Sequence, residues 1–178
     1  MTELPRRKQN RLRNYNYSQS GAYFITICVK DRHHMLGEIT IGDAPLNIPN
    51  CLLSDYGEFV DAQIQKISTI YPHVSVENYV VMPNHIHMLL ILKNRTLALK
   101  SGTHRGASPT KACISQIVRT LKSITTKQFG FAMWQRSYHD HIVRDEAEYL
   151  KIWQYISDNP AKWHNDCYND TRETIHFP

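Results

Sequence analysis

The sequence predicts one α+β domain of ferredoxin-like type, an antiparallel sheet with packed helices. The 178 residues, 42% hydrophobic and 21% charged, suit a single domain that buries its own core. Strand patterns and helix patterns follow one another in the order β, α, β-β, α, β, α, without an internal repeat or a low-complexity segment. We therefore expect the helices to lie on one face of the sheet.

The first half of the chain predicts two strands, a loop and a helix. β-Branched and aromatic residues predict a strand over 22–29, and a weaker strand follows over 35–41. Two prolines predict a loop over 43–50. Over 53–70, apolar residues recur every three or four positions, which predicts a helix with one buried face. Tyr71-Pro72 should end that helix, because the residue before a proline avoids helical geometry.

The middle of the chain predicts a β-hairpin followed by a basic loop. Two apolar, strand-like runs, 74–82 and 85–92, flank Pro83-Asn84, and such a turn most simply joins antiparallel neighbours. Residues 93–108 contain two glycines and several basic residues, with little to bury, which is typical of an exposed loop.

The last third predicts two helices around a short extended piece. Ser108-Pro109 favours a helix start, and Asp145 with Glu148 three residues later predicts another. Pro160 should end the second helix near Asp158. The extended piece covers 133–143. The buried stripe predicted for the first of these helices is Ile114, Ile117, Val118, Leu121 and Ile124.

Composition narrows the class of protein. No apolar run approaches the roughly 20 residues of a membrane helix, and the N-terminus does not look like a signal peptide, so we expect a cytoplasmic protein without a membrane partner. The four cysteines form no CxxC pair, which argues against a zinc knuckle or a disulfide framework. We divide the chain into a basic N-terminal arm (1–20), a catalytic domain (21–163) and a polar C-terminal tail (164–178).

Positive charge is concentrated near the N-terminus. The net charge is +5, and clustered cations attract a phosphate backbone because binding releases condensed counterions. A solvated basic tail is the other interpretation of this feature. The candidate DNA-binding residues are Arg6, Arg7, Lys8, Arg11 and Arg13.

A His-x-His pair stands at the start of the second hairpin strand. Residues two apart on a strand point the same way, so His85 and His87 share one face, opposite the apolar face of the strand. Two neutral imidazoles on a rigid strand can bind a transition metal. Surface or hydrogen-bonded histidines are the alternative. The sequence also contains a second pair, His139 and His141, in a polar run.

Tyr155 and Asn159 lie near the end of the last predicted helix. Positions four apart share a helical face, so both side chains can reach one site. A tyrosine that anchors the helix to the core is the simpler interpretation of Tyr155 in isolation.

Together, these features resemble a known family. Three segments resemble those of the REP-associated tyrosine transposases of the HUH superfamily, in the same order and spacing. They are Pro83-Asn84-His85-Ile86-His87, Trp134-Gln135-Arg136, and Tyr155 with Asn159-Pro160. The resemblance covers about residues 22–163. It implies an RRM-like or ferredoxin-like sheet with the histidine pair on a central strand and the tyrosine on a helix packed across it.

The resemblance also implies a site and a reaction. His85, His87 and Asn159 would bind a divalent metal ion, Mg²⁺ or Mn²⁺, and Tyr155 would attack single-stranded DNA next to a hairpin to form a 5′-phosphotyrosine link. The protein would act as a monomer or a homodimer. Two other functions remain open: an RRM-like module that binds DNA or RNA without catalysis, and a metallonuclease in which water is the nucleophile.

Overall fold

The computed structural model describes residues 19–41, 49–93 and 114–169. Among these residues the chain forms a four-stranded antiparallel sheet, a separate two-stranded ribbon and four α-helices. The strands are β1 Gly21–Cys28, β2 Gly37–Ile41, β3 Pro49–Leu53, β4 Val74–Met82, β5 His85–Leu92 and β6 His139–Val143. The helices are α1 Asp55–Gln65, α2 Ile67–Ile70, α3 Ile114–Phe129 and α4 Glu146–Asp158. Two 3-10 helices, Lys30–Arg32 and Pro160–Asn165, complete the described elements.

The α+β fold and the central hairpin are confirmed. The main sheet runs in the order β4-β5-β1-β6, so β5 lies between β4 and β1. Met82 pairs with His85 across the turn at Pro83-Asn84, and the antiparallel register continues to Val74 opposite Leu92 with one bulge. This register places both histidines of β5 on a central strand.

The expectation that all helices lie on one face of the sheet is wrong. One face of β5, with Ile86, Met88 and Leu90, joins the core cluster with α1, α2 and α3. Helix α4 packs on the opposite face against β4 and β5. The physical reason is that β5 is buried on both faces: Leu89, on the face of the histidines, is fully buried too. A strand of this kind needs cover from two layers.

The segment before α1 also differs from the prediction. Pro49–Leu53 forms β3 and pairs with β2, where the sequence predicted a loop to residue 50 and a helix from residue 53. Proline is compatible with the first residue of an edge strand, so Pro49 does not exclude pairing. The helix begins at Asp55, because the Ser54 hydroxyl caps it by accepting the Gly57 amide at 3.3 Å.

The other predicted elements in the described ranges are confirmed in part. The helix predicted over 53–70 is divided at Lys66 into α1 and α2, and within the extended piece predicted over 133–143 only His139–Val143 forms a strand. α3 buries Ile114, Ile117, Val118 and Leu121, while Ile124 is half-buried. α4 ends at Asp158, as Pro160 predicted. The basic arm over residues 1–18, the predicted loop from residue 94 and the Ser108-Pro109 helix start lie outside the described residues. No helix in the described ranges is long and apolar enough to cross a membrane.

Candidate active site

The two histidines of β5 meet on the face covered by α4. His85 is fully buried and His87 is 1% exposed. Their Nε2 atoms are 3.0 Å apart, and their ring centroids are 4.5 Å apart. The predicted pair therefore shares one face and directs two ring nitrogens to one point.

The hydrogen bonds of Asn84 fix the protonation of His85. The Asn84 side-chain amide donates to the carbonyl oxygens of Arg32 and Tyr168, so its Oδ1 must be the atom that faces His85. The His85 Nδ1 lies 2.9 Å from that oxygen and donates to it. A neutral imidazole carries one proton, so the Nε2 of His85 is unprotonated. In the metal-free protein it can accept a hydrogen bond from the His87 Nε2, 3.0 Å away, and a cation could take the place of that proton.

Thr26 on β1 is the hydrogen-bond partner of His87. Its hydroxyl lies 2.8 Å from the His87 Nδ1, and both groups are buried. A hydroxyl can donate or accept, so His87 can carry its proton on either nitrogen. With the proton on Nδ1, the Nε2 of both histidines presents a lone pair to the same point.

Burial keeps both histidines neutral. Burial lowers the pKa of His87 to about 3. The pKa of His85 is also lowered, first by burial and then by the neighbouring His87 and Arg32. Neutral imidazole is the form that binds metal ions, so the pair needs no deprotonation to act as a ligand set near neutral pH.

Helix α4 brings Tyr155 to the histidines. The Tyr155 hydroxyl lies 3.3 Å from the His87 Nε2, and its ring packs against the rings of His87 and Phe24. Tyr155 is nevertheless 39% exposed, so its oxygen is not sealed in the core. Burial, followed by the negative charge of Asp166, raises the pKa of Tyr155 to about 12, whereas a hydrogen bond from Asn159 acts in the opposite direction.

Asn159 follows α4 directly and faces the same site. Its backbone keeps right-handed helical geometry, with φ −57 and ψ −44, so Pro160 does not turn the side chain away. Asn159 is 1% exposed. Its Nδ2 donates to Asp166 at 3.1 Å, and its Oδ1 is buried with no hydrogen-bond partner among the described residues. A buried amide oxygen without a partner is a candidate cation ligand.

Asp166 joins the cluster and was missed by the sequence analysis. His85, His87 and Asp166 each offer a ligand atom, and these atoms lie within 4.8 Å of one another. The residue belongs to the polar tail over 164–178, whose first part, residues 164–169, packs on the site. The signal that could have found it is the aromatic character of the flanking Trp163 and Tyr168, since a solvated tail rarely carries large rings.

Tyr168 and Arg32 hold this segment in place. The Tyr168 ring lies 4.6 Å from that of His85, and its carbonyl oxygen accepts the Asn84 amide at 2.7 Å. The Arg32 guanidinium donates to the Cys167 carbonyl at 2.9 Å. Arg32 has a left-handed backbone, φ 58, which is costly for a residue other than glycine. This local strain accompanies the contact between the chain after β1 and the C-terminal segment.

The second histidine pair does not join the cluster. His139 and His141 lie on β6, and His139 is opposite Thr26 in the register. His141 instead pairs with Glu148 at 2.7 Å, and the other carboxylate oxygen of Glu148 accepts the Arg144 amide. Glu148 therefore ties the start of α4 to β6 and is not directed at Tyr155. The candidate DNA-binding residues of the arm, 6–13, lie outside the described residues.

Sequence comparisons found two relatives in Haemophilus influenzae, whereas no family model matches the chain. One, described as an uncharacterized protein, is 36% identical over 172 residues, which is 90% of this chain and 91% of the relative. The other is described as "Putative REP-associated tyrosine transposase" and is 27% identical over 155 residues, 83% of this chain and 74% of the relative.

A solved structure shares the fold. It is a REP-associated tyrosine transposase bound to a REP hairpin, and it matches 99% of this chain and 95% of its own with a TM-score of 0.55 and 18% identity. Three observations point to the same kind of protein. They are the sequence relative of the same description, the shared fold, and the order of the histidine and tyrosine motifs. The chain is thus similar in fold to a REP-associated tyrosine transposase and similar in sequence, at 27% identity, to a relative of the same description.

Proposed function

We propose that this protein is a metal-dependent single-stranded DNA endonuclease and strand transferase that acts next to DNA hairpins through a 5′-phosphotyrosine intermediate. The observation that carries the proposal is the approach of the Tyr155 hydroxyl to within 3.3 Å of the His87 Nε2, inside a His-His-Asp cluster. A tyrosine that merely anchored α4 would have no need of a cluster of cation ligands at its hydroxyl.

The residues fit a divalent cation. Two imidazole nitrogens converge, a carboxylate lies beside them, and the buried Asn159 Oδ1 lacks a partner among the described residues. We propose His85, His87 and Asn159 as ligands, with Asp166 as a further donor. Oxygen donors favour Mg²⁺ or Mn²⁺, and the imidazoles shift the preference toward Mn²⁺. A cation bound here would stabilise the negative charge that builds up on the scissile phosphate.

Tyr155 would be the nucleophile. Its pKa of about 12 keeps the hydroxyl protonated at neutral pH, so the proton must leave as the oxygen attacks. The new bond joins the Tyr155 oxygen to phosphorus, the bond from phosphorus to the 3′ oxygen breaks, and the leaving oxygen takes up a proton. The products are a 5′-phosphotyrosine and a free 3′-hydroxyl, and neither water nor a nucleotide is consumed.

The same step in reverse would join DNA strands. The phosphotyrosine link retains the energy of the broken phosphodiester, so a 3′-hydroxyl from another strand can displace Tyr155 and leave a new phosphodiester. Cleavage and strand transfer then need one site and one nucleophile. Because the solved relative binds a REP hairpin, we propose a hairpin with its flanking single strand as the substrate. The arm residues Arg6, Arg7, Lys8, Arg11 and Arg13 would add backbone contacts.

The test is a search for the covalent intermediate. Purified protein is mixed with Mn²⁺ and a labelled DNA that carries a hairpin from near its own gene, and the products are run on a denaturing gel. We expect a slowly migrating adduct that is absent with Tyr155→Phe. The matched control is Tyr149→Phe, because Tyr149 lies on the same helix and is not part of the cluster.

Other outcomes would identify the rival functions. Cleaved DNA without an adduct, retained in Tyr155→Phe, would point to hydrolysis by a metallonuclease. Binding of the hairpin with neither cleavage nor adduct would point to a recognition module.

A further inference from the structure

Part of the histidine-bearing face of the sheet is open to solvent. In the register, His87 is opposite Thr26 and Thr26 is opposite His139, so these side chains share one face. Phe24, two residues before Thr26, and His141, its partner on β6, lie on the same face. Helix α4 packs mainly on β4 and β5, and in the described part of the chain His139 and His141 are exposed while Phe24 is half-buried. These three residues form an open strip on β1 and β6.

Phe24 does not take part in the hydrophobic core. Its neighbours Tyr23 and Ile25 point to the other face of β1, are fully buried and join the core cluster. Among the described residues, Phe24 is not one of the half-buried apolar side chains that pack against that cluster. The ring leaves apolar surface in water, so a ligand that covers it gains free energy.

Phe24 adjoins the proposed nucleophile. Its ring centroid lies 5.9 Å from that of Tyr155, with the two rings nearly perpendicular at 86°, and 5.1 Å from that of His87. In the sheet order, β1 lies between β5, which carries the histidine pair, and β6 at the edge. A group that rests on Phe24 is therefore held next to Tyr155.

We propose that Phe24 is a stacking platform for a base of the single-stranded DNA, beside the phosphate that Tyr155 attacks. The inference rests on the proposed function and adds a base contact to its site. Aromatic side chains bind unpaired bases of any sequence, because every base has a π face. One sugar joins a base to its phosphate, so a base stacked on Phe24 brings the adjoining phosphate close to Tyr155.

The open strip favours an unpaired strand over a duplex. In a duplex the bases stack on one another, whereas an unpaired strand exposes their faces. The strip contains no lysine or arginine, the usual partners of a duplex backbone. The Glu148 carboxylate beside it accepts hydrogen bonds from His141 and from the Arg144 amide, which partly offset its charge. The ring of Phe24 is therefore the main attractive feature that the strip offers to DNA.

The test compares two single-stranded probes of equal length and charge. One is a labelled oligothymidylate, the other is an abasic strand, and fluorescence anisotropy measures both affinities in EDTA so that metal-dependent cleavage does not occur. We expect the native protein to bind the oligothymidylate more tightly than the abasic strand. Phe24→Ala should weaken oligothymidylate binding about fivefold or more and leave abasic binding unchanged. The slope of log K against log salt should stay the same, because no phosphate contact is lost.

Two further substitutions separate stacking from simple apolar contact. Phe24→Leu keeps an apolar side chain without a ring and should behave like Phe24→Ala, whereas Phe24→Tyr keeps the ring and should behave like the native protein. Phe131→Ala is the matched control, because it removes an exposed ring that packs on Tyr56 and Phe129 outside the site. It should leave both affinities unchanged, and circular dichroism checks that the variants fold.

Three results would overturn the proposal. They are equal binding of the two probes by the native protein, native affinity for the oligothymidylate in Phe24→Leu, and a salt slope that falls in Phe24→Ala, since that would indicate a lost phosphate contact. Binding is measured without metal or cleavage. The absence of a Tyr155 adduct would therefore refute the proposed chemistry and leave the result for Phe24 standing.

Discussion

At the scale of single residues, the site depends on the groups that orient the histidines as much as on the histidines themselves. Asn84 fixes the proton of His85, whereas Thr26 holds the ring of His87 through a hydroxyl that can donate to or accept from its Nδ1. Partners of this kind raise the affinity of an imidazole for a metal ion because they hold the ring and its tautomer in place.

Thr26 offers a direct test of this arrangement. Thr26→Val keeps the shape of the side chain but leaves the His87 Nδ1 without its partner, so we expect the affinity for Mn²⁺ to fall about 10-fold to 100-fold. Isothermal titration calorimetry measures the affinity without any need for DNA. Thr26→Ser keeps the hydroxyl and should bind Mn²⁺ nearly as well as the native protein. Equal affinities in all three proteins would show that the hydroxyl plays no part.

The buried histidines also predict how stability depends on pH in the metal-free protein. The ordinary histidine pKa is 6.5, and in the folded chain it is about 3 for His87 and lowered for His85. Between pH 6.5 and pH 3 the unfolded chain therefore binds protons that the folded chain does not. Stability should be highest above pH 6.5 and fall as the pH decreases, by up to about 1.4 kcal/mol per pH unit for each such histidine.

Urea unfolding at a series of pH values measures this dependence. His87→Gln should flatten the curve between pH 6.5 and pH 3, whereas His164→Gln, which changes an exposed histidine, should follow the native curve. A native curve that is flat over this range would contradict the assignment of neutral, buried histidines.

The sequence could predict which side chains of β5 share a face, but not the contacts that these side chains make with distant parts of the chain. The period of two on β5 is local, so the shared face of His85 and His87 follows from spacing alone. The hydrogen bond between His87 and Thr26 joins residues 61 positions apart, and only the pairing of β1 with β5 creates it. The two His-x-His pairs have the same spacing, so spacing alone does not distinguish them. In the structure they differ because His141 is hydrogen-bonded to Glu148 and does not join the cluster.

At the scale of elements, α4 is the part that brings Tyr155, the proposed nucleophile, to the histidines. The Asp145 side chain caps the helix by accepting the Glu148 amide at 2.8 Å, and the Glu148 carboxylate binds His141 on β6. At the other end, the Asn78 side chain donates to the Trp153 carbonyl and to Ser157. Tyr155 lies between these two anchors, so its position depends on both.

Removing the cap should weaken α4. We expect Asp145→Ala to lower the free energy of unfolding by about 1 kcal/mol, since the Glu148 amide loses its acceptor. Asp145→Ser supplies another oxygen and should retain most of the stability. Urea unfolding at neutral pH distinguishes the two variants, and equal losses in both would show that the cap contributes nothing.

Elements with a strong local pattern were the predictable ones. Short stretches of sequence determine the hairpin of β4 and β5, and they also determine where α4 is capped and where it ends. β3 was missed because its strand character comes from pairing with β2, while Pro49 locally favours a loop. The strand and helix patterns alone do not predict the second layer of helix, because the burial of β5 on both faces is a property of the assembled sheet.

At the scale of the whole molecule, the site joins segments that are far apart in sequence. β1 supplies Thr26, β5 supplies the histidines, the end of α4 supplies Tyr155 and Asn159, and the segment after it supplies Asp166. The aromatic residues that flank Asp166 indicate only that its segment is covered, and its place in the cluster follows from the fold. A cation held by ligands from several of these segments would favour the folded chain, because the unfolded chain lacks the preformed site.

This coupling predicts that metal stabilises the protein. At a Mn²⁺ concentration of 100 times the Kd, we expect the free energy of unfolding to rise by about 2.7 kcal/mol and EDTA to reverse the gain. Asp166→Asn should reduce the gain, because it replaces a charged donor with a neutral one, and His87→Gln should abolish most of it. His139→Gln, from the histidine pair outside the cluster, should show the full native gain in urea unfolding with and without Mn²⁺. A gain that is lost in His139→Gln and kept in His87→Gln would move the metal to β6 and separate it from Tyr155.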